Sequence, residues 1–399
     1  MHLNHDSFFF CAFAAPIVMK TILFACSPEP GHVLPTIPIA KRLLSYGHRI
    51  IYSTHPALDP ILLSHAFITE PLMPQRQTTI IDGSEQSGWS FWYRFECAHM
   101  PMSRGQALAA ILRSVIQRYN VDLIVADRLF AGAYHVPLRS VLGGVPCVLL
   151  SATLPDWDEE VESQGYPILV LCPEDFEVPC FRHRAPNVRY TEPSLYLREH
   201  VLGGMTHTSQ IDKSNRIPIL ASFGTQSILA LDLERRCALM ADLANRRQDL
   251  HIVLVLGRSG SNGTLAHKWR DIANLTVCGE VVQWLELKHV ALFVTHGGLG
   301  SVKEALYQGV PMVVVPVGFD QPFNAVRVSY HNLGNHLFPE MLSLDSLESV
   351  VDRTLESRQC MDSSHRFRDL VRRAEQQPTA AELIQTIIEN GDASICRTP

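Results

Sequence analysis

The sequence predicts an α/β protein of two doubly wound domains that face one another, followed by a C-terminal helical segment. Short, wholly apolar runs alternate with amphipathic stretches, the pattern of parallel strands covered on both faces. The alternation occurs in two runs along 399 residues, a length beyond one ordinary core, and each run opens with strand, turn and helix. Within the second run, Ala291–Ala325 reads as apolar run, glycine-rich turn, helix, apolar run and a polar Asp320-Gln321, which is a βαβ unit.

In chain order, residues 1–19 read as an extension. Phe8–Val18 is apolar, but no Lys or Arg precedes it and it is too short to span a bilayer. Met19-Lys20 then starts a clean strand, so a disordered or mis-called start is expected, with a signal or anchor as the alternative. The first domain is expected over 20–200: strand Thr21–Cys26, a turn at Gly31, helix Leu34–Tyr46, strand Arg49–Ser53, helix Gly105–Tyr119, strand Asp122–Ala126, a helical stretch over Phe130–Leu142 and strand Pro146–Ser151. Only a short unstructured stretch is expected between Ser53 and Gly105. The boundary falls near Glu192–Arg216. The second domain, 201–399, holds strand Ile217–Phe223, helix Leu229–Arg247, strands His251–Leu256 and Leu275–Val277, and then the βαβ unit. Apolar residues at three- and four-residue spacing predict terminal helices over Leu344–Ser357, Ser363–Gln377 and Pro378–Asn390, packed over the second domain and returning to touch the first. A ligand belongs at the carboxyl ends of the strands, in the cleft between domains.

Composition narrows the function. A net charge of −6 disfavours nucleic acid as a partner. No apolar stretch has the length of a membrane-spanning helix, so membrane association is not expected. The 10 cysteines are scattered without a C-x-x-C pair, which fits reduced thiols and a cytoplasmic protein. Asn262-Gly263-Thr264 and Asn274-Leu275-Thr276 match a glycosylation pattern that recurs by chance.

The turn after Ala291 spells neither GxGxxG nor GxxxxGK[ST], which disfavours hydride transfer and ATP hydrolysis. Its backbone N–H groups at a helix N-terminus suit phosphate. His296 and Ser301 suit a pyrophosphate, and Glu304 lies one helical turn beyond Ser301. His32 follows the first strand directly, where a neutral imidazole could act as a general base. Alone it would more often be a packing histidine among the chain's 18. Asp127 ends another apolar strand and could hold that imidazole in one tautomer; alone it would read as a helix cap. Asp156-Trp157-Asp158 spells DxD but lies in an acidic loop with no strand before it, and Cys/His metal spacing is absent, so no metal is expected. The aromatic patch Trp89-Ser-Phe91-Trp92-Tyr93-Arg-Phe95 is either core packing or a wall for an apolar substrate.

Together, PGHVLP, VDLIVADR, ILASFGT, VVQWLE, VTHGGLGSVKEAL, GVPMVVVP and GFDQPFNA cover nearly the whole chain from Lys20. Their combination resembles the UDP-dependent glycosyltransferases with two Rossmann-like domains (the GT-B fold), in the microbial macrolide and antibiotic branch. The resemblance implies His32 as catalytic base with Asp127 as its acid. It implies Gly224 and Thr225 as the loop under the phosphates, Trp284 stacked on uracil, and His296, Gly298 and Ser301 on the pyrophosphate. Glu304 is implied on the ribose hydroxyls, and Asp320 with Gln321 on those of the sugar. Where the family has W-x-P-Q, this chain has Trp284-Leu285-Glu286-Leu287, which puts one nucleotide contact in doubt.

The expectation is an inverting, metal-independent transferase that needs no cofactor. It would move a hexose from a UDP-sugar, glucose most simply, to a hydroxyl of a hydrophobic small molecule in a small or open acceptor pocket. The protein would work as a monomer or weak homodimer. The alternatives are a sugar-nucleotide epimerase, a lipid-linked sugar transferase, or a non-catalytic helper that keeps the fold.

Overall fold

The computed structural model describes residues 18–27, 29–72, 104–131, 136, 138–154, 165–181, 185–196, 209–211, 215–224, 230–257 and 267–390. Among these, the strands form two wholly parallel sheets, one of seven strands and one of six. The expected α/β architecture of two Rossmann-like domains followed by helices is the one observed.

The first sheet contains β1 (Thr21–Ala25), β2 (Arg49–Thr54), β3 (Ile68–Pro71), β4 (Leu123–Asp127), β5 (Cys147–Ser151), β6 (Ile168–Val170) and β7 (Val188–Tyr190), in the order β3-β2-β1-β4-β5-β6-β7. The second contains β8 (Ile217–Ser222), β9 (Leu250–Val255), β10 (Leu275–Cys278), β11 (Leu292–Thr295), β12 (Met312–Val314) and β13 (Gly334–His336), in the order β10-β9-β8-β11-β12-β13. Strand order reverses between β1 and β4 in one sheet and between β8 and β11 in the other. Crossover connections leave these neighbours in opposite directions, so each sheet opens a crevice at its carboxyl edge there. Ala25 pairs with Ala126, and Ser222 with Thr295, at the lips of the two crevices.

The central strands β1, β4, β9 and β11 are buried at every residue, as both-face coverage requires. One apolar cluster runs continuously from the first sheet (Leu23, Ile124, Leu149) into the second (Leu220, Val253, Phe293). Two satellite clusters cover the outer faces. The one on the first sheet is closed by Ala380, Ala381, Ile384 and Ile387 of helix Thr379–Asn390, so the last described helix packs on the first domain.

Several elements differ from expectation. The helix expected over Leu34–Tyr46 is three pieces: Pro30–Val33, a 3₁₀ turn Leu34–Thr36, and Ile37–Ser45. Pro35 and Pro38 supply no N–H for a continuous ladder. The stretch Phe130–Leu142 is likewise two short helices, Arg128–Ala131 and Leu138–Leu142. The region after Ser53 is not unstructured: a 3₁₀ turn Pro56–Leu58, helix Asp59–Leu63 and edge strand β3 follow. The penultimate helix runs Arg358–Glu375, five residues earlier than expected, because the Ser357 side chain caps it by accepting the Cys360 N–H. Asp156–Asp158, Asn262–Thr264 and the Trp89–Phe95 patch lie outside the described residues. Among the described residues, no helix is long and apolar enough to cross a membrane.

Candidate active site

A cleft of about 490 Å³ lies between the domains. Gly31, Leu34 and Pro35 line it from the first domain, and Gly224, Trp284 and Glu304 from the second.

His32 leaves β1 on the short helix Pro30–Val33, and Asp127 ends β4 across the crevice. His32 Nδ1 stands 2.8 Å from Asp127 Oδ2, an approach oblique to the ring N–H that makes the contact more ion pair than linear hydrogen bond. Asp127 also caps the helix that follows it, because its Oδ1 accepts the Leu129 N–H at 3.0 Å while the Ser27 N–H reaches Oδ2 at 3.3 Å. The cap and the histidine partner are therefore one carboxylate with divided oxygens. Burial pulls the His32 imidazole down, but the charge and contact of Asp127, helped by Glu29 and Asp320, outweigh it and lift His32 to about 9.

In the second domain, His296 follows β11 and its ring lies against two glycines. A Cβ on Gly224 would stand 2.8 Å from its Nε2, and one on Gly298 would stand 2.6 Å away. Only glycine fits at both places. With no carboxylate opposite, burial lowers His296 to about 4, against a backbone hydrogen bond at Ser222 and with a further push from the buried Arg236. His296 is thus a neutral ring at pH 7, with its one N–H directed to the Ser222 backbone and its other nitrogen an acceptor. Helix Leu299–Gln308 begins beside it, and Gly300 and Glu304 in its first turns line the cleft.

Gln283 joins two expected residues, donating from Nε2 to Glu304 Oε2 at 2.6 Å and to Ser301 Oγ at 3.2 Å. Trp284 is buried at the wall of the cleft, with the Lys288 ammonium 4.4 Å from its ring centroid. Glu286, where the family has proline, is fully buried and accepts hydrogen bonds from Ser209 Oγ (2.7 Å) and the Gln210 N–H (3.0 Å). The departure thus ties the loop carrying Gln210 to the cleft wall.

Asp320 occupies the N-cap position of helix Gln321–Tyr330 without a side-chain capping bond, and its charge acts on His32 from the opposite domain. Burial raises its carboxyl above the ordinary range, against the Asn324 hydrogen bond and the charges of His32 and Arg327. Gln321 Oε1 is occupied by its own loop, accepting from the Val317 (2.8 Å) and Gly318 (3.2 Å) N–H groups. Its amide NH₂ is therefore the end with hydrogen-bonding capacity toward a ligand. Thr225 lies outside the described residues.

Sequence reading passed over the cations that join the domains. Lys303 is buried, donating from Nζ to the first-domain carbonyls of Leu171 (3.0 Å) and Pro193 (2.6 Å). Arg327 makes a bidentate pair with Glu177 at 2.7 and 3.0 Å, both side chains at 1% exposure or less. Removing one partner of such a pair costs roughly 3–5 kcal/mol. Charged residues on otherwise buried helix faces were the available signal, but their partners lie more than a hundred residues away.

Residues 267–390 match the family model described as Erythromycin biosynthesis protein CIII-like, C-terminal domain. The NDP-glycosyltransferase YjiC of Bacillus licheniformis is 33% identical over 357 residues, covering 82% of this chain and 87% of that protein. Among solved structures, the glycotransferase of kitacinnamycin superposes with a TM-score of 0.72 at 21% identity, covering 93% of this chain and all of that one. The spinosyn rhamnosyltransferase SpnG, complexed with thymidine diphosphate, superposes with a TM-score of 0.66 at 16% identity over 93% of this chain and all of that one.

Proposed function

Because the chain belongs to the GT-B natural-product glycosyltransferases, we propose that it transfers a hexose from a UDP-sugar to a hydroxyl of a hydrophobic small molecule, with inversion. The observation that supports this reading most is His32, paired with Asp127 at 2.8 Å and influenced by Asp320 from the other domain. In the proposed step His32 takes the proton of the acceptor hydroxyl. The acceptor oxygen forms its bond to the anomeric carbon as the bond to the diphosphate oxygen breaks, and UDP leaves with the electron pair. Asp127 stabilises the imidazolium as it forms. A site that can face both base and donor fits one displacement better than a covalent intermediate.

The residues around the diphosphate supply hydrogen bonds and a helix N-terminus to meet its charge, which favours departure without a metal. Trp284 would stack on the base. Glu304 suits a ribose, because a carboxylate can accept two vicinal hydroxyls, whereas a deoxyribose offers one. Asp320 and the Gln321 amide would hold sugar hydroxyls. The seven described cysteines are all free thiols, which fits a cytoplasmic enzyme. The relatives do not favour an epimerase, a lipid-linked sugar transferase or a non-catalytic helper.

The test is a panel of UDP- and TDP-sugars against phenolic and terpenoid acceptors, with released nucleotide and product anomer measured with and without EDTA. The expected result is faster turnover of a UDP-hexose, inverted product and no effect of EDTA. Faster turnover of TDP-sugars would overturn the donor reading, retained configuration the mechanism, and loss with EDTA the metal independence.

A further inference from the structure

Asp320 is held by a buried chain of polar groups that crosses from one domain to the other. Asn324 donates from Nδ2 to Asp320 Oδ2 and to the Gly297 carbonyl, each at 2.9 Å. Its Oδ1 faces Arg327 Nη1 at 3.5 Å. Arg327 donates from Nε and Nη2 to Glu177 at 2.7 and 3.0 Å, and its guanidinium lies 5.2 Å from the Phe181 ring centroid. Asn324 is fully buried, and Glu177 and Arg327 are each 1% exposed. Asp320, Asn324 and Arg327 sit at one end and along one face of helix Gln321–Tyr330, whereas Glu177 and Phe181 belong to the first domain, between β6 and β7.

The chemistry gives this chain a direction. A guanidinium can only donate, so the Asn324 end facing it must be the oxygen. The amide NH₂ must then face Gly297 and Asp320, both acceptors. Reversing the amide would set donor against donor at Arg327 and acceptor against acceptor at Gly297. Arg327, acting with the Gly297 carbonyl, therefore fixes which end of Asn324 reaches Asp320, and Glu177 fixes where Arg327 lies. A wholly apolar contact would hold the domains as well as a desolvated ion pair, but it could not orient an amide.

We propose that Glu177, Arg327 and Asn324 are positioning residues through which the first domain sets the orientation of Asp320, and with it the presentation of the donor sugar. This rests on the reading of Asp320 as a sugar ligand. Neither Glu177 nor Arg327 lines the cleft. Their effect is felt in the rate of transfer from bound donor rather than in the grip on the nucleotide.

The test is a double-mutant cycle. The exchange Glu177→Leu with Arg327→Met removes both charges together at similar volume, and it is made in the wild-type and the Asp320→Asn backgrounds. UDP-glucose, or the fastest donor of the panel above, is the substrate, and UDP affinity is measured by calorimetric titration. The exchange should lower kcat about tenfold in the wild-type background and no more than about twofold in the Asp320→Asn background, since residues in one network are not additive. UDP affinity should stay within about twofold, as its site is elsewhere on the domain. A wild-type kcat in the exchange, or the same loss in both backgrounds, overturns the relay while leaving the sugar ligand in place. If Asp320→Asn alone changes neither kcat nor donor KM, the reading of Asp320 fails and takes the relay with it. Should the exchange fail to fold, Arg327→Lys keeps a cation for Glu177 but lacks the fork that also spans to Asn324, and it is read in the same cycle.

Discussion

The two domains present the same crevice with opposite electrostatics. In the first, the histidine follows β1 and faces an aspartate at the end of β4. In the second, the histidine follows β11, the strand corresponding to β4, and faces a glycine after β8. Burial acts to lower both imidazoles, yet His32 is lifted to about 9 and His296 is pushed down to about 4. The residue across the switch point makes the difference: a carboxylate 2.8 Å away outweighs desolvation, whereas a glycine adds no charge and lets the ring pack close. One fold plan thus yields a strong base on one side and an uncharged, close-packed ring on the other.

The comparison breaks most completely at His32. His32→Ala should lower transfer about a thousandfold, within the range for loss of a general base, while UDP affinity stays within about twofold. His296→Ala should do the reverse in part, weakening UDP binding. Steady-state rates beside calorimetric titrations separate the two, and equal loss of UDP affinity in both variants would dissolve the contrast.

Asp127→Asn sharpens it. The base must be neutral to accept a proton, so in the wild type kcat/KM should rise with pH until it levels off above about 9, the value for free His32. With the carboxylate charge gone, burial dominates, and the rise should move below the ordinary histidine pKa of about 6.5. The plateau should fall about a hundredfold because the imidazolium loses its partner. A pH–rate profile that keeps its midpoint near 9 would show that Asp127 is not what lifts His32.

The smallest effect belongs to the packing side. Gly298→Ala places a methyl group 2.6 Å from His296 Nε2, so the ring must swing away. The expected cost is about 1–3 kcal/mol, read as weaker UDP binding with an unchanged midpoint in the pH–rate profile. Unaltered UDP affinity would mean that the ring position does not matter to the nucleotide.

Much of this contrast was legible in the sequence. Asp127 ends an apolar run, His296 follows one after Thr295 and His32 follows one after a five-residue turn, and parallel strands in a doubly wound sheet bring their carboxyl ends to one edge. The short strands β3, β6, β7 and β13 were not legible, because three or four residues carry no measurable period and Gly334-Asn335-His336 is not apolar. Nor was the partner of Gln321 Oε1, which depends on how its loop folds back.

The sequence by itself determined the two α/β domains, the glycine turn and the residue types at the strand ends, because periodicity and turn chemistry act over a few neighbours. Only the tertiary structure decided what those residues became. It set a carboxylate against one histidine and a glycine against the other. It brought Glu177 to Arg327 across 150 positions of chain and laid helix Thr379–Asn390 back on the first sheet. Charge and burial act through space at a few ångströms, and spacing along the chain does not encode those distances.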